Sequence, residues 1–233
     1  MSLFTNSNVT CPNCEAVVNM PAVGSVNADR RPDFRDAILD DSFQVTTCPN
    51  CHEAFRLAPL FNYLDVGHGQ WLAGLPASRV VDWPEVEDDI DSVFQASFGA
   101  NVPAAARDVA DLLTVRVCFG WPAIREKIYL KGVGLDDVTV EMMKMDLMRR
   151  LKDAPFVQGT ELRVGAVDDQ AFQMVWIDAE TEDVRQRFSA QRALYDAITA
   201  KPEAWAALRD KLSDGPFVDM QKLFLGQGRV AAE

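Results

Sequence analysis

Five cysteines stand in the chain, and four of them form two copies of one tetrapeptide: Cys11-Pro12-Asn13-Cys14 and Cys48-Pro49-Asn50-Cys51. A Cys-x-x-Cys pair presents two sulfurs from one tight turn, and two such pairs supply the corners of a four-thiolate tetrahedral site. Proline after the first cysteine sets φ for the turn. Asparagine tolerates the left-handed conformation that such a turn tends to need. A redox Cys-x-x-Cys usually occurs once, beside a βαβ pattern; this one occurs twice, with no such pattern flanking it. Two disulfides would need an oxidising compartment. The N-terminus (Met1-Ser2-Leu3-Phe4-Thr5-Asn6) has no basic stretch and no long apolar core to direct export. The residues therefore predict a zinc site with Cys11, Cys14, Cys48 and Cys51 as ligands, in a cytoplasmic protein. Four protein ligands close the shell, whereas catalytic zinc keeps a position for water. The zinc is expected to be structural.

Other chemistry-bearing residues are sparser. His52 follows Cys51 directly and would be a redundant fifth ligand, so it is read as a ring on the surface or beside the site. Cys118, within the apolar run 115–119, is read as a small buried hydrophobe. His68 sits in Gly67-His68-Gly69 with no identifiable nucleophile or carboxylate partner. Glu126, Asp136, Asp137 and Glu141 flank a Gly-bounded turn, where carboxylates can bind a hard cation. They define an alternative, an enzyme with a carboxylate site around residues 126–141. Against it, an Asp at 136 or 137 suits a helix N-cap, and Glu141 with Lys144 makes an i, i+3 pair. The chain contains no Walker loop, GxSxG, HExxH or dinucleotide fingerprint, and no catalytic residue is assigned.

The elements that must carry these residues read as α+β. Residues 8–10 and 16–18 bracket the first cysteine pair as short strands, and 43–47 and 54–57 bracket the second. Between them, Pro32 and Asp33 followed by Phe34, Ile38 and Leu39 predict a short amphipathic helix. The result is a zinc ribbon with a helical insertion. Residues 60–64 and 70–74 predict a β-hairpin around Gly67-His68-Gly69. From Pro84 the pattern is helical, with Val86, Ile90, Val93 and Phe94 on one face and a cluster of carboxylates on the rest. Residues 103–113 predict a helix, and 114–120 fit either helix or strand. Pro122 opens a helix ended by Gly132-Val133-Gly134. The next helix starts at 135–137 and packs through Val140, Met143, Leu147 and Leu151. Residues 161–167 and 172–177 predict a second hairpin. Residues 184–198 read as a helix carrying Phe188, Leu194 and Tyr195. Another helix begins at Pro202, a short last element at 217–220, and a frayed tail at 226. The expected organisation is a ribbon domain over 1–80 and a mostly helical α/β region over 81–233.

Composition narrows the function. The net charge is −12, with 48% apolar and 25% charged residues, an ordinary globular mixture. Residues 1–80 carry a net −3 and residues 81–233 a net −9. Nucleic-acid affinity rests on Lys and Arg neutralising phosphates, and neither region has an excess of them. Phe34 and Phe55 lie near basic spots and could stack on bases, but they fit a ribbon core better. No apolar run approaches the ~18 residues of a membrane span. An acidic surface instead favours a protein partner with basic patches.

The two Cys-Pro-Xaa-Cys knuckles, the segment 32–39 before the second knuckle and Tyr63 after it resemble the bacterial CpXC domain family. Residues 125–128, 134–137 and 141–144 are similar to the helical region that commonly follows in such proteins. His52 departs from zinc ribbons that place Gly after the final knuckle cysteine. The resemblance implies a zinc-bearing ribbon and supplies no catalytic residues. Together these observations predict a zinc-binding, non-enzymatic protein-interaction or scaffold module.

Overall fold

The computed structural model describes residues 3–150 and 159–225. It is α+β, with three antiparallel or mixed sheets and eight helices among the described residues. The first knuckle closes the hairpin β1 (Leu3–Thr10) and β2 (Val17–Asn27), paired from Leu3↔Ser25 to Thr10↔Val17. Pro21 lies opposite Asn6 in this ladder, on a stretch of β2 that does not pair with the next strand of its sheet, which joins only over Ser25–Asn27. Helix α1 (Pro32–Leu39) follows, with Pro at its start and Ile38 buried. The second knuckle closes a separate two-stranded hairpin, β3 (Val45–Thr47) and β4 (Ala54–Arg56). The expected ribbon with its helical insertion is therefore present.

Strands β5 (Phe61–Asp65) and β6 (Gln70–Leu75) form the predicted hairpin. The ambiguous segment near 114 is strand β7 (Thr114–Phe119), parallel to β6. The resulting sheet has the order β1-β2-β5-β6-β7 and so takes strands from both sides of residue 80. Every residue of β6 is buried, since both faces of this part of the sheet are covered. On one face Leu72, Phe61 and Tyr63 meet Ile124 and Ile128 of α4 (Trp121–Gly132). A Cβ on Gly74 would lie 2.7 Å from Ile124 Cδ1 and 3.1 Å from Phe61 Cε1, so the glycine leaves room for these two side chains. On the other face Trp71, Ala73 and Leu75 meet α2 (Trp83–Phe98) through Val86, Ile90 and Phe94. Val93, expected on that buried face, is exposed. Helix α3 (Ala104–Ala110) lies between α2 and β7 in sequence.

Helix α5 (Asp137–Arg150) starts as predicted: the Asp136 carboxylate accepts bonds from the Thr139 N–H (3.1 Å) and hydroxyl (2.5 Å). Val140, Met143 and Leu147 are core residues; Leu151 lies outside the described residues. The second predicted hairpin, β8 (Thr160–Val167) and β9 (Ala171–Asp178), gains a third strand, β10 (Val184–Gln191), in the order β10-β9-β8. This corrects the helix expected over 184–198. Only Arg192–Thr199 is helical, as α6. Val184 and Phe188 are spaced i, i+4, which satisfies a period of 2 as well as 3.6; the ladder with β9 decides for strand. One sheet face (Leu162, Val164, Phe172, Met174, Trp176) packs on α5, α6 and α7 (Pro202–Leu212). The last element is α8 (Gln221–Leu225), and the tail from 226 lies outside the described residues. No helix among the described residues is long and apolar enough to cross a membrane.

Candidate metal centre

The two knuckles come together. The Sγ atoms of Cys11, Cys14, Cys48 and Cys51 all lie within 4.8 Å of one another. Cys11 Sγ and Cys51 Sγ are 3.7 Å apart, and Cys14 Sγ and Cys48 Sγ are 3.6 Å apart. A tetrahedron with metal–sulfur bonds of about 2.3 Å has edges of about 3.8 Å, so the donor set fits a four-coordinate ion. All four thiols are free. Cys11 and Cys48 are fully buried, against Val18, Val9 and Phe55 in a very small core.

The knuckles have the same backbone. Cys11 N–H donates to the Ala16 carbonyl (2.9 Å) and Glu15 N–H to the Cys11 carbonyl (3.0 Å). Cys48 N–H donates to the Glu53 carbonyl (2.9 Å) and His52 N–H to the Cys48 carbonyl (2.9 Å). The left-handed residue is the one after the second cysteine, Glu15 (φ 59°) and His52 (φ 64°). The asparagines, expected to take that conformation, do not. Their side chains reach across instead. Asn50 Nδ2 donates to Cys14 Sγ at 3.4 Å, and the Asn13 side chain lowers the Cys51 thiol. His52 thus stands where glycine is usual because it accepts the strained φ, and its ring is exposed.

The sulfurs differ in their surroundings. The Asn50 amide and the Ala16 N–H hold the Cys14 thiol down to about 6, and Asn13 with the Glu53 N–H lowers Cys51. Burial pushes Cys11 up to about 11. Each group can bind a cation only as thiolate, so ion binding releases protons and weakens as pH falls. Cys118 lies apart in the core under α4, where burial pushes its thiol up to about 12.

The four carboxylates considered as a hard-cation site are each held by basic side chains. Glu126 accepts from Lys144 Nζ (2.8 Å), Arg163 Nη1 (3.1 Å) and Val164 N–H (2.6 Å). Glu141 accepts from Lys144 Nζ (2.7 Å) and Met220 N–H (2.9 Å). Asp137 pairs with Arg116 through Nε (2.7 Å) and Nη2 (3.0 Å), and with Lys127 Nζ at 2.8 Å. Asp136 receives Arg209 Nη1 at 2.8 Å. Burial alone would raise the Asp137 carboxyl, but Lys127 and Arg116 hold it far below the usual carboxylate range. Glu126 is lowered against its burial by Lys144 and Arg163, whereas burial keeps Glu141 raised. Arg163 adds Glu161 (2.7 Å) and Asp219 (2.7 Å) to this buried network.

The sequence alone identifies no carboxylate partner for His68. The structure supplies one: Nδ1 lies 2.9 Å from both oxygens of buried Asp65, which also accepts the Tyr63 hydroxyl at 3.0 Å. The acid three residues earlier was the available signal. Phe34 packs edge-on to Phe43 beneath the Arg31 guanidinium, and Phe55 joins the knuckle core.

A cleft of about 1670 Å³ separates the β3–β4 hairpin from the open face of the C-terminal sheet. Leu39, Val45, Val81 and Val184 lie on its walls and are exposed. Arg56, five residues after Cys51, bridges it: its guanidinium donates to Asp41 (2.5 Å) and to Glu182 of the β9–β10 turn (2.5 Å), over the Trp121 ring. Arg125 pairs with the same two carboxylates.

The model of the CpXC protein family matches residues 9–144, more than half of the chain. The chain belongs to the CpXC family. No curated protein and no solved structure matches it.

Proposed function

We propose that this CpXC-family protein is a zinc-stapled, non-enzymatic interaction module whose partner is a protein. The observation that carries the reading is the closed set of four thiolates, Cys11, Cys14, Cys48 and Cys51, at the spacing of a tetrahedral ion. Thiolate donors favour zinc over hard cations. Four thiolates carry −4 against the +2 of zinc, which disfavours a bound hydroxide, so the metal's work is to hold the knuckles. Reduced cysteines suit a cytoplasmic setting. The paired state of Glu126, Asp136, Asp137 and Glu141 weighs against the carboxylate enzyme, because a cation would have to displace a lysine or arginine from each. The packing of Phe34 and Phe55 weighs against base stacking.

The cleft is the surface offered to the partner. Its volume exceeds the ~300–1,000 Å³ of small-molecule sites, and its exposed aliphatic walls suit an extended polypeptide segment. Metal analysis of protein purified without added metal should find one zinc per chain. Metal-free protein whose knuckle region stays folded would overturn the zinc reading. Partner capture should be lost in a Val81→Asp, Val184→Asp double variant and kept in Val93→Asp, which lies on α2 away from the cleft lining. Equal capture by both would overturn the cleft as the docking surface.

A further inference from the structure

We propose that Asn13 and Asn50 form a reciprocal clasp that locks the metal in, each knuckle's asparagine donating to the second cysteine of the other. The inference rests on the four-thiolate metal reading and adds residues to it. Three observations carry it. The donor crosses between knuckles: Asn50 Nδ2 reaches Cys14 Sγ at 3.4 Å, 36 positions away in sequence, and in the other knuckle, which has the same backbone, the Asn13 side chain lowers the Cys51 thiol. Neither asparagine is needed for backbone conformation, since the left-handed positions belong to Glu15 and His52. Neither is held by packing, since both are exposed at the knuckle tips. What the two share is an amide that acts on a sulfur of the other knuckle.

The electrostatics give the clasp its purpose. Four thiolates around a divalent ion leave a net −2 in a shell that is only partly solvated. Hydrogen bonds to a charged acceptor are among the stronger ones. The two donors serve the outer sulfurs, Cys14 and Cys51, which are half-exposed, whereas Cys11 and Cys48 are buried. The outer pair is where a proton or a chelator first reaches the ion. The clasp therefore guards the two bonds that would open first, and it ties one knuckle to the other without using the metal.

The test is metal release from the zinc-loaded full chain into excess chelator. Outer-sphere partners of metal ligands are typically worth about 10–100-fold in affinity, and acceleration of that order is expected for Asn13→Ala and for Asn50→Ala. Asn13→Asp and Asn50→Asp separate the clasp from a turn role. Aspartate suits the turn as well as asparagine does, but it cannot donate when ionised and it repels the thiolate. The aspartate variants should release zinc faster than the alanine variants. With cobalt(II) in place of zinc, the sulfur-to-metal charge-transfer band should shift in each variant. Asn19→Ala is the control, because Asn19 bonds Asn8 on the same hairpin away from the sulfurs. Wild-type release rates and an unmoved band in the aspartate variants would overturn the clasp while leaving the metal site intact. A chain that binds no divalent ion would overturn both.

Discussion

The knuckle region and the C-terminal sheet with its helices solve the same problem with different means. The knuckles bury almost nothing: Cys11, Val18 and Cys48 are the buried centre of their core. The β3–β4 hairpin has three residues per strand and joins no larger sheet, and an isolated two-stranded hairpin is marginal in water. The C-terminal region has eighteen buried hydrophobic residues in one cluster. It also encloses the Lys144–Glu126–Arg163–Asp219 network. One region gathers four thiols from residues far apart in sequence, where an ion could cross-link them, and the other relies on apolar area and paired charge. A buried ion network adds little net stability, but breaking it leaves an unpaired charge at full cost.

Chelation is the largest blow to this contrast. Zinc contributes about 10–16 kcal/mol apparent binding energy in small modules. On metal removal, amides of residues 45–56 should exchange freely by hydrogen–deuterium exchange, while those of α5 stay protected. Uniform loss of protection would show that the two regions fold as one unit. The converse blow is Arg163→Met, which strands Glu161 and Asp219. It should cost about 3–5 kcal/mol in denaturant unfolding without changing metal content.

Acid should separate the regions in order. Asp137 and Glu126 have folded pKa values below their unfolded ones. Their stabilisation is therefore full above about pH 4 and is lost only as pH falls through the lowered folded values. The thiolates compete with protons at higher pH. Metal release should precede loss of the far-ultraviolet circular dichroism signal as pH is lowered; simultaneous loss would contradict the ordering.

The bridge between the regions is worth less. A double-mutant cycle of Arg56→Gln and Glu182→Gln should show about 0.5–1 kcal/mol of coupling, given their partial exposure. The smallest change sharpens the knuckles themselves. His52→Gly removes the left-handed penalty of about 1 kcal/mol and should raise the melting temperature of the metal-loaded knuckle region slightly.

The legible parts of this protein are the local ones. Cys-Pro-Asn-Cys repeated twice announced the cluster, and Pro32 with Phe34 and Ile38 announced α1, because turn chemistry and periodicity are properties of neighbouring residues. The Asp136 cap was readable for the same reason. The 184–198 segment was not, since an i, i+4 spacing serves strand and helix alike until β9 offers a ladder. Nor could the sequence assign Asn50 to Cys14, or Glu126 to Lys144 and Arg163. By itself the sequence determined which four cysteines could hold a metal and where most elements begin. Tertiary structure alone decided which charges are neutralised and by whom, because a buried ion or a thiolate finds its partner through space, and the chain's order carries no record of that distance.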